Sequence, residues 1–198
     1  TMRGHCYDAL VGLAGCDKSL PGMMMVMVRL NVPSVFMYGG SILPGRFKGR
    51  DVTVVDVFEG VGMHSAGKMS DAELHELECV ACPSAGSCGG QFTANTMACV
   101  SEAIGLALPG SAGAPAPYES RDEYARASGE AVMKLIALGL RPRDICTRKA
   151  FENAAGRRLR AALMLLFDPE TARQFDQRFA AALTAILSRF PGVFAGSD

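Results

Sequence analysis

Three chemically active side chains stand next to one another at Cys16, Asp17 and Lys18, directly before the turn-forming Pro21 and Gly22. Consecutive side chains on a helix or strand point in different directions, so this order favours an irregular loop that wraps around a ligand. A thiolate suits iron or zinc, whereas a carboxylate suits magnesium or calcium. The tripeptide therefore predicts a loop that contacts one or two metals; the alternative is an ordinary polar loop with a buried cysteine.

A second cysteine-rich stretch, CVACPSAGSCGGQFTANTM, begins at Cys79 and contains further cysteines at positions 82 and 88. Glycines at positions 86, 89 and 90 flank Cys88. Glycines beside a cysteine let the backbone approach a bulky inorganic group and offer amide donors to its sulfides, as an iron–sulfur site requires. In isolation, the Cys-x-x-Cys pair formed by Cys79 and Cys82 is also typical of half a zinc knuckle or of a redox motif.

Together the two stretches resemble the paired signature of the dihydroxy-acid dehydratases and their sugar-acid dehydratase relatives. The matching segments are Cys16-Asp-Lys-Ser-Leu-Pro-Gly22 and Cys82-Pro-Ser-Ala-Gly-Ser-Cys88-Gly-Gly-Gln-Phe-Thr-Ala-Asn95-Thr-Met97. The similarity covers roughly residues 4–155 and includes the segments Tyr38-Gly-Gly-Ser-Ile-Leu-Pro-Gly45, Leu108-Pro-Gly-Ser111 and Arg141-Pro-Arg-Asp-Ile145. Two long motifs at the expected separation are far more specific than a single glycine motif.

The resemblance implies removal of water from a 2,3-dihydroxy carboxylic acid to give a 2-keto acid, a step of branched-chain amino acid biosynthesis. It also implies an iron–sulfur cluster, with a two-iron form favoured over a four-iron form, and Mg²⁺. Carried over by position, Cys16 and Cys88 are expected to be cluster ligands, and Asp17 and Lys18 to bind magnesium. Lys18 would do so as a carbamate, because carbamylation converts a cationic amine into an oxygen anion that a hard cation accepts.

The same resemblance places several parts of the family's site outside this sequence. The third cluster cysteine and another magnesium carboxylate are expected before Thr1, and the serine that acts as base belongs to a carboxy-terminal domain. No catalytic residue is therefore assigned here, and we expect the 198-residue chain to be an incomplete and inactive fragment by itself. The resemblance also implies a homodimer for the full-length protein.

A competing hypothesis is a non-catalytic domain with a four-thiolate zinc or iron–sulfur site made by Cys79, Cys82, Cys88 and Cys16. A structural remnant that binds nothing is a third possibility. Under the dehydratase hypothesis, Cys79 and Cys82 are buried structural thiols. The same interpretation applies to the remaining cysteines, Cys6, Cys99 and Cys146. The histidines show no metal-ligand spacing and are expected at the surface or in the core: His5, His64 and His75.

Composition limits the partners and the compartment. Twenty basic and twenty acidic residues cancel, and no block of like charge suggests nucleic acid or an anionic membrane surface as a partner. Seven cysteines in a chain without a recognisable signal peptide favour a reducing compartment, the cytoplasm. The longest apolar run, at residues 23–28, is too short to span a bilayer.

The elements that must position the two loops follow from the hydrophobic pattern. An apolar run at residues 9–14 predicts a buried strand whose end carries the first loop, where ligands sit in open α/β sheets. A methionine-rich core helix is predicted to follow up to Leu30, and a second strand over residues 31–38. Residues 41–50 are expected to form a loop with three basic side chains, Arg46, Lys48 and Arg50. These side chains are expected to be solvated; the alternative is that they hold a substrate carboxylate.

Further helices are predicted in the second half of 51–67, from Ser70 through Leu77, over 91–107, from Ser120 to Gly139 and from Thr147, with a connection at 108–118. Capping boxes at residues 70–73 and 120–123 mark two of these starts. Strands that alternate with helices predict an α/β fold: a layered parallel sheet with helical cover and metal-binding loops at the strand ends.

The sequence divides near Gly156, where the family resemblance stops. Residues 1–155 are expected to be part of the family's N-terminal α/β domain. Residues 156–198 do not match the family, and their pattern predicts a helical C-terminal tail that includes an amphipathic helix after Asp168 and Pro169.

Overall fold

The computed structural model describes residues 1–90 and 92–155, which form a mixed α/β structure with a small parallel sheet. This confirms the predicted α/β class. The helical tail predicted at 156–198 lies outside the described residues, as does Gln91. The strands are β1 (Leu10–Ala14), β2 (Ser34–Tyr38), β3 (Gly45–Phe47) and β4 (Arg50–Val52). The helices are α1 (Ser19–Leu30), α2 (Val54–Ser65), α3 (Asp71–Val80), α4 (Thr93–Ala103), α5 (Ser120–Leu138) and α6 (Pro142–Ile145), with a 3₁₀ turn at Ser111–Gly113.

The parallel pair β1–β2 brings two strand ends to the same edge. Its register runs from Leu10 opposite Ser34 to Ala14 opposite Tyr38, and α1 forms the crossover between the strands. On the far side of β2, the Phe36 N–H donates to the Leu106 carbonyl at 2.7 Å. The Cys16 loop, which leaves β1 after Ala14, therefore starts beside the exit of β2.

The prediction that β1 is wholly buried is wrong. Val11 and Leu13 are 42% and 61% exposed, whereas Ala14 is buried. The face that carries Gly12 packs closely on α1, since a Cβ at Gly12 would come within 2.8 Å of the Met23 side chain. Only one face of the strand is covered by the described residues, so burial alternates along it.

Methionines of α1 supply much of the main core, as predicted. Met24 and Met27 are buried, together with Phe36 and Tyr38 of β2. Met25, however, is 52% exposed on the opposite face of the helix. A smaller cluster joins the β3–β4 hairpin to α3 and contains Phe47, Val52, Leu77 and Ala81.

Residues 41–50 were expected to be a loop, but the second half of this segment begins a β-hairpin. Lys48 and Gly49 form its two-residue turn with φ of 48° and 82°, the left-handed conformations that suit the twist of paired strands. Lysine rarely adopts a positive φ, so the residue types at 48 and 49 did not predict a hairpin turn at this place.

The predicted capping boxes have different outcomes. At the start of α3, Ser70 Oγ accepts from the Glu73 N–H at 3.3 Å and Glu73 Oε2 accepts from the Ser70 N–H at 3.1 Å, so that box is confirmed. The prediction of a capping box at residues 120–123 is wrong, because Glu119 already has helical backbone angles and Ser120 is the first residue of α5. Within residues 92–155, no side chain caps that first turn.

Other helix limits differ modestly from the predictions. Helix α4 ends at Ala103 instead of extending to 107, because Gly105 turns the chain with φ of 86° toward β2. Helix α5 ends at Leu138 and is capped by Gly139 in a left-handed conformation, in agreement with the predicted end at this glycine. Thr147 caps a helical segment at 148–155, since its Oγ1 accepts from the Ala150 N–H at 3.3 Å. None of the helices in the described ranges is long and apolar enough to cross a membrane.

Candidate metal centre

The Cys16 loop is closed by the first residue of α1. Ser19 Oγ accepts from the Cys16 N–H at 2.9 Å and donates to the Cys16 carbonyl at 3.0 Å. The same carbonyl also accepts from the Leu20 N–H at 3.0 Å. These bonds fix the backbone of Cys16 between β1 and α1 while leaving its side chain exposed.

The next two side chains form an ion pair beside the thiol. Lys18 Nζ lies 3.1 Å from Asp17 Oδ2, and Cys16 Sγ lies 3.5 Å from Asp17 Oδ1. The hydrogen bond from Lys18, followed by that from Cys16, lowers the pKa of the Asp17 carboxyl below its ordinary value. Asp17 therefore remains an oxygen anion, the form in which a carboxylate binds a hard cation.

The Cys88 loop is held against the segment that follows β2. The Ser87 N–H donates to the Gly40 carbonyl at 2.9 Å, and the Ile42 N–H donates to the Cys88 carbonyl at 3.0 Å. Gly86 has φ of 145°, and a Cβ there would lie 2.6 Å from the Ile42 nitrogen. Only glycine permits this approach, so the motif glycine serves to bring two backbones together.

The two cysteine loops meet at Ser87. A Cβ on Gly15 would overlap Ser87 Oγ, and a Cβ on Gly39 would lie 3.1 Å from the same oxygen. The Ser87 side chain therefore sits over two glycines at the ends of β1 and β2. Cys16 follows one of these glycines directly and Cys88 follows Ser87 directly, so the sequence-predicted ligands lie on loops in contact.

Tyr38, the last residue of β2, lies beneath both loops and is 1% exposed. Burial, and secondarily the electrostatic effect of Cys88, raise the pKa of Tyr38 to about 12 against an opposing effect of Arg121. Its hydroxyl donates to Asn95 Oδ1, and Asn95 Nδ2 donates to the Gly90 carbonyl. Tyr38 is followed directly by Gly39, where a Cβ would lie 3.1 Å from Ser87 Oγ, so Tyr38 adjoins the contact between the two loops.

The donor set fits the implied cofactors. The exposed Cys16 and the half-buried Cys88 offer two thiolates to iron, and Asp17 offers an ionised carboxylate to magnesium. Lys18 is exposed beside that carboxylate, where it is accessible to carbamylation. Across residues 1–90 and 92–155, no three metal-ligating side chains of the His, Cys, Asp or Glu type already converge on one point. The described residues thus supply part of a ligand set.

The other cysteines separate by exposure. Cys146 is buried, as expected for a structural thiol, and Cys99 is half-buried. Cys6, Cys79 and Cys82 were expected to be buried, but all three are exposed because they lie in the N-terminal turns and at the end of α3, outside the core. The absence of a converging ligand cluster in the described ranges also gives the four-thiolate site of Cys16, Cys79, Cys82 and Cys88 no support.

The histidines lie among polar or aromatic neighbours near the surface. His64 Nε2 lies 2.5 Å from Asp71 Oδ1, and His5 stacks on Tyr7 with ring centroids 5.3 Å apart. His75 Nε2 lies 3.7 Å from Cys79 Sγ, one turn along α3. Each histidine thus makes a local contact near the surface, one of the two locations that the sequence allowed.

The bases of the hairpin are engaged with acids instead of being available for a substrate carboxylate. Arg46 pairs with Asp51 at 2.8 Å, and these two side chains are both exposed. The other two pairs are Lys48 with Glu73 at 2.5 Å and Arg50 with Asp56 at 2.7 Å. Because these ion pairs are local and largely solvated, the favoured prediction of a solvated set is consistent with the structure.

Three residues near the centre had no role assigned from the sequence: Tyr38, Asn95 and Arg121. Tyr38 and Asn95 stand within the quoted motifs, and that position was their available signal. Arg121 stands in a polar stretch at the start of α5, where a buried base has no periodic signature.

Comparison with known proteins adds an independent result. The model of the family described as dihydroxy-acid/6-phosphogluconate dehydratase, N-terminal, matches residues 1–161. A dihydroxy-acid dehydratase of Parvibaculum lavamentivorans is 87% identical over 155 residues, which are 78% of this chain and 27% of that protein. The dihydroxy-acid dehydratase of Dinoroseobacter shibae is 81% identical over the same shares of both chains. That of Metallosphaera sedula is 54% identical over 77% of this chain and 28% of its own. The chain thus spans about a quarter of the length of these relatives.

Proposed function

Because this chain belongs to the dihydroxy-acid/6-phosphogluconate dehydratase family, we propose that it carries part of the metal centre of a hydro-lyase that removes water from a 2,3-dihydroxy carboxylic acid. The product would be a 2-keto acid on the route to branched-chain amino acids. The observation that carries the proposal is the contact between the Cys16 and Cys88 loops across Ser87, which joins the two family motifs at one edge of the sheet.

In this proposal Cys16 and Cys88 hold an iron–sulfur cluster through their thiolates, and Asp17 and a carbamylated Lys18 hold Mg²⁺. The lowered pKa of Asp17 and the exposure of the Lys18 side chain support the second assignment. When bound, these groups would supply Lewis acids for the departing C3 hydroxyl and for the substrate carboxylate and C2 oxygen. The chain's own contribution is to hold two thiolates and two oxygen anions on loops fixed by Ser19, Ser87 and the β2 exit.

Residues 1–155 would then form part of an N-terminal domain in which a layered parallel sheet carries metal-binding loops at its strand ends. The parallel register of β1 and β2, with both loops at the same edge, supports this arrangement. We place the protein in the cytoplasm, favour a two-iron cluster, and expect the full-length protein to be a homodimer. The balanced charge supports a small-molecule substrate over nucleic acid or a membrane surface.

The test is metal analysis of protein purified without oxygen and reconstituted with iron and sulfide. Iron, sulfide and zinc are measured together with the visible spectrum, for the wild type and for Cys16→Ser and Cys88→Ser. We expect bound iron and sulfide in the wild type and loss of most of both in either variant. Cys79→Ser and Cys82→Ser are the matched controls, and both should keep wild-type iron.

Two results would contradict the assignment. Loss of metal in Cys79→Ser and Cys82→Ser as well as in Cys16→Ser would indicate the four-thiolate site instead. A wild-type protein that holds neither iron nor sulfide after reconstitution would mean that these motifs do not assemble a centre in this chain.

A further inference from the structure

Arg121 is a buried cation whose charge the described residues do not balance. Its side chain lies in the first turn of α5 and the residue is 6% exposed. Nη1 donates to the Ser111 carbonyl at 2.6 Å, whereas Nη2 has no hydrogen-bond partner among the described residues. No described carboxylate forms an ion pair with Arg121. Burying a guanidinium without a carboxylate partner raises the free energy of the folded state. We therefore expect Arg121 to have a function that a neutral side chain could not perform.

The guanidinium rests against the residue beneath the candidate metal centre. Arg121 Cζ lies 6.0 Å from the centroid of the Tyr38 ring, within the range of a cation–π contact. The Tyr38 hydroxyl donates to Asn95 Oδ1, and Asn95 Nδ2 in turn donates to the Gly90 carbonyl. Gly90 is two residues beyond Cys88, so a chain of buried contacts runs from α5 to the second cysteine loop.

Tyr38 directly precedes Gly39, where a Cβ would lie 3.1 Å from Ser87 Oγ, so this chain of contacts reaches the place where the two cysteine loops meet. The pKa of Tyr38 is raised first by burial, then by the charge of Cys88, and is lowered by Arg121. The Cys16 thiol also contributes, with the weakest effect of the four. The Tyr38 ring thus lies between the cation of α5 and the Asn95 side chain that contacts the second cysteine loop.

We propose that Arg121 is a positioning residue for the Cys88 loop, and that it acts through the Tyr38 ring and the Asn95 side chain on the backbone at Gly90. The inference rests on the proposed function only in treating Cys88 as a ligand, since the contacts themselves involve no metal. Arg121 orients the Tyr38 ring, the hydroxyl fixes the amide of Asn95, and the amide holds the loop in the conformation that presents Cys88 beside Cys16.

Amide hydrogen exchange of the metal-free chain, followed by mass spectrometry of peptides covering residues 84–90, tests this directly. Arg121→Gln removes the cation, and the loop should then exchange about threefold to tenfold faster, as expected when one buried hydrogen bond no longer constrains it. Arg121→Lys keeps a cation near the ring and should restore most of the protection. After reconstitution, Arg121→Gln should retain less than half of the wild-type iron and Arg121→Lys most of it.

Two control variants on the same helix separate positioning from general loss of stability. Arg126→Gln removes an exposed arginine of α5, and Val132→Ala removes methyl groups from a buried position of α5. Both should leave exchange of the 84–90 loop at the wild-type rate, although Val132→Ala should lower the melting temperature. If Arg121→Gln does not fold, Tyr38→Phe provides the second test, because it keeps the ring and the cation and removes only the hydroxyl link to Asn95.

The outcomes distinguish this inference from the proposed function. Faster loop exchange in Arg121→Gln, or in Tyr38→Phe if Arg121→Gln does not fold, supports the positioning role; if the wild type also binds no iron, the metal assignment is contradicted at the same time. Wild-type loop exchange in a folded Arg121→Gln, or in Tyr38→Phe if Arg121→Gln does not fold, overturns the positioning role, whether or not the wild type binds iron. Equal acceleration in Val132→Ala would also overturn it, since the effect would then reflect general destabilisation.

Discussion

Cys146 is buried, unlike the exposed thiols of Cys6 and Cys79, and this difference can be tested by its reactivity. Burial raises the pKa of Cys146 to about 11 from an ordinary 9.0. At pH 8 its thiolate fraction should therefore be about 100-fold below that of an ordinary thiol, since one pKa unit is a factor of ten. We expect iodoacetamide to modify Cys6 and Cys79 long before Cys146 in the folded chain, as measured by peptide mass spectrometry. All three should react at similar rates in urea, and equal rates without urea would contradict the burial of Cys146.

Glu73 should make part of the stability depend on acid pH. The hydrogen bond from Lys48, followed by those from Ser70, lowers the pKa of Glu73 to about 2 from 4.5. Because the folded-state pKa is depressed, this stabilisation is complete above pH 4.5 and is lost as the pH falls toward 2. Glu73→Gln should melt at a lower temperature than the wild type at pH 7, and the difference should shrink by pH 3. Glu76→Gln, an exposed change on the same helix, is the control and should show no such convergence.

At the residue scale, the candidate ligands could be named from the sequence because they stand in the two motifs that carry the family resemblance. Cys16, Asp17, Lys18 and Cys88 were named as candidates, and the structure puts them on two loops in contact. Arg121 was not found, because its environment is created by long-range packing of α5 on β2 and leaves no local pattern. The exposure of Cys79 and Cys82 was also missed, since the end of a short helix can face either core or solvent.

Among the elements, the two predicted capping boxes provide a matched test. Ser70 Oγ caps α3, whereas Ser120 lies inside α5 with Glu119 already helical. Ser70→Ala should lower the free energy of unfolding by about 1 kcal/mol, the usual cost of removing a helix N-cap. Ser120→Ala should change it by less than about 0.5 kcal/mol, because alanine is at least as good as serine within a helix.

Urea denaturation followed by circular dichroism measures both variants. A loss in Ser120→Ala as large as that in Ser70→Ala would mean that α5 starts at a capped Ser120, as the sequence pattern alone suggests.

The strands and longer helices could be predicted because apolar runs, proline and glycine mark them locally. The β3–β4 hairpin could not, since its turn places Lys48 in a left-handed conformation that sequence statistics disfavour. The alternating burial of β1 could not be predicted either. It depends on which faces of the sheet are covered, and that is decided by packing of α1 on one face.

On the scale of the whole molecule, stability should depend mainly on the larger core around α1 and β2. Leu20 is fully buried there, whereas Met25 of the same helix is 52% exposed. Leu20→Ala should lower the free energy of unfolding by about 2–5 kcal/mol, the range for large-to-small changes in a packed core. Met25→Ala should cost less than about 1 kcal/mol.

Equilibrium unfolding in urea distinguishes the two variants. Similar losses for Leu20→Ala and Met25→Ala would show that α1 packs on the sheet through a different face from the one described.

The ion pair between Lys18 and Asp17 has a consequence for how the centre would mature. In this ion pair, Lys18 Nζ lies 3.1 Å from Asp17 Oδ2. Carbamylation requires the neutral amine: CO₂ adds to its lone pair, a proton leaves, and the product is an anion beside Asp17. Two adjacent anions then repel unless a cation bridges them. Dissolved CO₂ and Mg²⁺ would therefore be taken up interdependently, and the supply of bicarbonate during expression would help to determine how much of the proposed centre forms.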